Sequence, residues 1–156
     1  MIPNLPDNSP LFVFPLSRPV SKNEERILLE ACEKFLVQWK SHNQPVAAHV
    51  WTEEHRFLLI AADPAMNLPG GCSKDKLFHF VTELMNEAGF CEAPLHLFWV
   101  KSDTGLHSFS RKDLKEGWKK EEISPESQLL PTWISDLGQY REFWKKPLTH
   151  FSSMLA

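Results

Sequence analysis

With 156 residues, 42% of them apolar and including eleven Phe and six Trp, the chain can bury a substantial core, and one domain over residues 1–156 is the expectation. A formal charge of −3 provides no global field to draw it to nucleic acid or an anionic membrane, so neither is expected as a partner. No run approaches the roughly 18 apolar residues of a membrane span, the opening MIPNLPDNSP lacks the basic and apolar regions of a leader, and three widely spaced cysteines suit reduced thiols; a cytosolic protein is expected.

LFVFPL, Leu11 to Leu16, is a short apolar run of the kind expected of a strand covered on both faces, and Pro15 should end it. Ser21 with Glu24 three places later is a capping box. It opens a helix on which Ile27, Leu28, Ala31, Cys32, Phe35 and Trp39 recur at helical spacing, closed by Asn43 and Pro45. VAAHVWT, from Val46 to Thr52, alternates, with Val46, Ala48 and Val50 on one side and Ala47, His49 and Trp51 on the other. A charged trio, Glu53 to His55, separates it from a strand over Phe57 to Ala62, making a hairpin. After turn-rich DPAMNLPGG a second helix opens near Ser73 and fades at Gly89. LHLFWVK and LHSFS then flank Asp103, Thr104 and Gly105, a second hairpin signal.

The order β-α-β-β-α-β-β predicts a two-layer α+β sandwich, with two helices on one face of a mainly antiparallel sheet: a ferredoxin-like βαββαβ core over about residues 11–110 with an added edge strand. RKDLKEGWKKEE reads as a short surface helix. The remainder carries Trp133, Ile134, Leu137, Tyr140, Phe143, Trp144, Leu148 and Phe151, too much apolar surface to leave in water at about 25 cal/mol per Å². The extension over 111–156 should therefore fold back on the domain or cover a second copy, giving a homo-oligomer.

LPGGCSKDKLFHF, Leu68 to Phe80, is the stretch most suggestive of chemistry. A Walker loop requires GxxxxGK[ST], and no Gly-Lys-Ser/Thr occurs in the chain, so ATP hydrolysis is not expected. Backbone N–H groups at the helix start suit a small anion, and Cys72 near the same terminus would feel a dipole favouring thiolate. His79 lies seven residues on, about 10 Å of helical rise, which rules out a direct Cys72–His79 dyad; His49 or His107 would have to approach through the fold. Leu77, Val81, Leu84 and Ala88 form the apolar side, leaving Cys72, Asp75, His79 and Asn86 opposite. Asp75 and His79 are four apart, in reach of an i,i+4 contact. Gly71, Cys72, Ser73, Asp75 and His79 are thus the candidate ligand-binding residues. There is no CxxC pair and no HExxH segment, so no metal or cofactor is expected. The basic residues of RKDLKEGWKK and Arg141, Lys145 and Lys146 are interleaved with glutamates, as on a solvated face.

GCSKDKLFHF, with the upstream FLVQWKSHNQPVAAHVWTEEHRFLLIAAD, resembles a family of small bacterial proteins often labelled automatically as ABC transporter ATPases. Its pattern has a helix ending in Trp, a His-x-x-Pro-like turn, two paired strands and then Gly-Cys-Ser-x-Asp-x-x-x-His, which Gly71, Cys72, Ser73, Asp75 and His79 match position by position. The likeness covers Leu11 to Gly89 and, loosely, Trp144 to Phe151. It implies no established chemistry. The turn here reads SHNQP rather than His-Gly-Gln-Pro, without the glycine that favours left-handed backbone. Two functions follow from these residues: a non-catalytic cytosolic domain that acts by binding itself or another protein, or a small-ligand binder or enzyme using the Gly70 to His79 corner, with Cys72 as thiolate.

Overall fold

A computed structural model describes residues 2–156. The chain has the α+β composition expected, with antiparallel sheets and five α-helices among the described residues. It divides into two compact units: the first runs to Ala93 and includes Ser135–Gly138, and the second comprises Pro94–Ile134 and Gln139–Ala156.

In the first unit, β1 (Leu11–Pro15) is followed by α1 (Lys22–Val37), whose start is fixed by the capping box: Ser21 Oγ accepts from the Glu24 amide and the Glu24 carboxylate accepts from the Ser21 amide. Leu28, Cys32 and Leu36, spaced by four, form its buried stripe. A two-residue hairpin, β2 (Lys40–Ser41) and β3 (Gln44–Pro45), turns through His42 and Asn43, both left-handed at φ 53° and 65°. The turn thus takes the left-handed backbone without a glycine, as a two-residue hairpin of this twist demands. β4 (Ala48–Glu53) and β5 (Phe57–Ala62) pair through a turn at Glu54 and His55, again left-handed. The sheet order is β1-β5-β4, all antiparallel, and every residue of β5 is buried. Phe14, Leu58 and Ile60 meet Leu28, Cys32 and Leu36 of α1, and Leu77 and Val81 of α2 (Gly71–Glu87), in one core. Gly89, at φ 80°, ends α2, with the Phe90 amide reaching back to Met85 O at 2.7 Å.

The three-strand order is the one a ferredoxin-like sheet gives its first three strands. The fourth departs from that expectation. Only Cys91–Ala93 runs beside β1, through the Leu16–Glu92 bridge and the Ser17–Cys91 and Ala93–Pro15 backbone bonds. Pro94, which has no N–H to donate, follows at once, and the Leu97 amide turns back to Pro94 O. The strand expected at 95–101 instead forms β6 (Phe98–Ser102) of a separate sheet. At the other end of β1, residues 135–138 return to the first unit: the Leu11 amide donates to Ser135 O and the Leu137 amide to Ser9 O.

In the second unit, β6 pairs with β7 (Gly105–Phe109), and α3 (Arg111–Lys119) opens on Ser110, whose Oγ accepts from the Asp113 amide. β8 (Gln128–Leu130) joins the other side of β6, α4 (Leu137–Phe143) follows, and β9 (Lys146–Pro147) pairs with β8, giving the order β7-β6-β8-β9. A 3-10 turn (Leu148–Phe151) and α5 (Ser152–Leu155) end the chain. Their Leu148, Phe151 and Leu155 are buried with Val100, Leu114 and Leu129, so the apolar tail packs into its own chain.

No helix among the described residues is long and apolar enough to cross a membrane.

Candidate functional site

α2 begins at Gly71 and buries Ser73, Leu77, Val81, Leu84 and Met85. Cys72, Asp75 and His79 are exposed, as the helical period requires of the opposite face. Ser73 parts from them. Its hydroxyl donates to Lys40 O at 2.9 Å, and its own carbonyl accepts from Trp39 Nε1 at 2.9 Å. Around it, the Gly70 amide donates to Ser41 Oγ at 3.0 Å, while Asn67 Nδ2 bridges Ser41 O and Gln44 O. A side chain at Gly70 would meet Ser41 Oγ at 3.3 Å and His42 Nε2 at 3.5 Å. Helix start, preceding loop and the β2–β3 hairpin are therefore one clamp of backbone acceptors and short side chains. Ser73 is a structural member of that clamp, since its only hydroxyl proton is committed to a backbone carbonyl.

The expected Asp75–His79 contact is replaced by another: His79 Nε2 lies 3.1 Å from Glu83 Oε1, one turn further on, with both side chains largely in solvent. Such an exposed pair contributes a few tenths of a kcal/mol. The histidine that the fold brings to this corner is His42, carried there by the left-handed turn, and His107 belongs to the second unit. All three cysteines are free thiols; Cys32 is buried, Cys72 and Cys91 exposed. Burial, reinforced by the Glu33 charge, pushes the Cys32 thiol up to about 12 and leaves it inert at neutral pH.

The second unit holds a cleft of about 590 Å³ between the β6–β7 hairpin and the segment 122–128. Pairing of Val100 with His107 and of Ser102 with Gly105 puts these residues on the sheet face that carries the second core. Val100, Phe109 and Ile123 supply apolar lining. A chain of polar groups runs along the hairpin wall: Ser102 Oγ to Thr104 Oγ1 at 2.9 Å, then Thr104 Oγ1 to His107 Nε2 at 3.1 Å. On the far wall Ile123 lies close against α3 at Gly117: a Cβ there would lie 2.6 Å from Ile123 Cδ1, so a larger residue would require the Ile123 side chain to shift. Ser127, 5% exposed, also lines the cleft.

Comparisons with protein-family models, with curated proteins and with solved structures found no match to this chain. The likeness of Gly71, Cys72, Ser73, Asp75 and His79 to the bacterial family motif accordingly rests on those residues. No group of three or more His, Cys, Asp or Glu among the described residues is placed to hold a metal ion.

The cleft carried no signal in the sequence. Its groups come from a hairpin turn and a loop without periodicity, and Ser127 is distinguished only by burial, which pattern does not encode.

Proposed function

We propose that this chain is a non-catalytic binding protein and that the cleft of its second unit receives the ligand. The observation that carries this reading is the cleft itself, a concavity of about 590 Å³ in which the apolar floor of Val100, Phe109 and Ile123 meets the polar groups of Ser102, Thr104, His107 and Ser127. The Ser102–Thr104–His107 chain supports it by holding one wall in a fixed arrangement. The alternative site, the start of α2, has less behind it: Ser73 is engaged in the clamp and His79 with Glu83. The family resemblance remains part of this proposal and weights the motif face of α2 without lending it a reaction.

Self-association through the tail has little left to recommend it, because Leu148, Phe151 and Leu155 are buried within their own unit. A cytosolic location belongs to the same reading, supported by three unpaired thiols. The test is a two-dimensional amide NMR titration of the whole chain with a library of small fragments. Amides of 102–104 and 123–128 should shift saturably. Fragment hits confined to residues 70–79, or no saturable hit at the cleft, would overturn the reading in favour of the α2 corner or of neither.

A further inference from the structure

We infer that the outer face of α3, together with the concavity at its C-terminal end, binds single-stranded nucleic acid; the ligand cleft is a separate site of the same unit. The formal charge of −3, which by itself predicts no such partner, divides unevenly along the chain. The first unit holds eight Lys and Arg against thirteen Asp and Glu, whereas the second holds nine against seven. Charge asymmetry within one chain is one mark of a part that meets an anionic polymer. The charges of RKDLKEGWKK alternate in sequence, but on α3 they separate. Arg111, Lys115 and Lys119 fall in one row with a rise of about 6 Å at each step, and Lys112 stands beside it. Asp113 and Glu116 lie about 160° and about 100° round the helix from Lys115. Among the described residues none of these four cations forms an ion pair, so their charge is directed outward.

The row leads to an aromatic surface. Trp118 is half-buried and adjoins the row on the side of the buried Leu114. With Ile123, Pro125 and Lys119 it lines an open concavity of about 580 Å³, which Glu121 and Ala156 complete. These two features suit the two parts of a nucleotide: cations in a row track phosphates, and an indole in an apolar hollow stacks on a base of any identity. A duplex keeps its bases stacked inside and offers the hollow nothing. An acidic peptide brings the charge without an obligatory flat ring. A lipid surface is disfavoured because α3 already buries its apolar positions, Leu114 and Gly117, within the unit.

The experiment follows the fluorescence anisotropy of a labelled oligothymidylate of about twelve nucleotides as the full-length chain is added, against polyglutamate of similar length. With one stacked base in its favour, the oligonucleotide should bind about tenfold more tightly than the polyglutamate. Three cations on phosphates release counterions, so raising salt from about 50 to about 200 mM should weaken binding about twentyfold. In the double variant Arg111→Gln with Lys119→Gln, both surface positions, the same step should weaken it only about threefold. Amides of 111–121 should move in the labelled parent chain, and those of 102–104 should not. Equal affinity for polyglutamate, a salt response that the variant leaves unchanged, amide shifts confined to other parts of the chain, or no binding at the lower salt would each overturn the assignment.

Discussion

Ser73 shows how much a single side chain contributes when both its polar ends are used. Its hydroxyl satisfies Lys40 O, and its carbonyl takes the indole N–H of Trp39, which is 2% exposed. Replacement by Ala leaves a carbonyl beneath the hairpin without its donor, at a cost of about 1–2 kcal/mol. Urea denaturation should show Ser73→Ala with a lower midpoint and an unchanged slope; a midpoint equal to that of the parent would show that the clamp does not depend on this hydroxyl. Cys32 makes a different demand. With its thiol pushed from 9.0 to about 12, the folded state holds the proton more tightly than the unfolded chain does. The corresponding stability is fully present below pH 9 and is lost as pH rises toward 12, at a slope approaching about 1.4 kcal/mol per pH unit. Mass spectrometry after iodoacetamide treatment at pH 7.5 should find Cys72 and Cys91 modified and Cys32 protected, and Cys32→Ala should flatten the alkaline loss. Modification of Cys32 at the rate of the other two would contradict its burial.

The elements differ in how much of their making lies within a few residues. α1 was readable because its start is local: Ser21, Glu24 and an apolar period are enough, and Arg18 adds a two-pronged bond to the Glu24 carboxylate at 2.8 and 3.1 Å. That bond, and then the Ser21 amide, hold the Glu24 carboxyl at about 2, below its ordinary 4.5. A depressed folded value means that the contribution is present above pH 4.5 and disappears as pH falls through about 2. Glu24→Gln should therefore lie closer in stability to the parent at pH 2 than at pH 6, measured by thermal midpoint; a gap of constant size across that range would remove Glu24 from the acid response. The outward face of α2 was equally legible, since 100° per residue sets Cys72, Asp75 and His79 together without knowledge of neighbours. What the sequence could not reveal depends on partners distant in the chain. The Ser73 clamp needs Lys40, and the left-handed turn at His42 and Asn43 is imposed by the hairpin. β8 is three residues long, too short for alternation to declare itself, and its identity comes from pairing with β6.

At the scale of the whole molecule, the C-terminal residues are a structural part of the second unit. The Leu148 amide donates to Ser127 O and the Thr149 amide to Pro125 O, which ties the segment bearing the cleft to the end of the chain. Leu148, Phe151 and Leu155 are 0%, 6% and 1% exposed, and they cover Val100, Leu114 and Leu129. Burial of each such side chain contributes about 1.5–3 kcal/mol, so removing all three costs a sum comparable to the stability of an entire small domain. A chain ending at Pro147 should lose amide-exchange protection through β6 and β8, and with it any saturable ligand response at 102–104 and 123–128. Leu155→Ala is the milder probe, at about 2–4 kcal/mol, and should lower protection in the same strands while leaving the unit folded. Exchange in β6 and β8 that is indifferent to both changes would mean that the final turn of chain lies on the second core without supporting it. The cleft would then owe its shape to the hairpin and α3 alone.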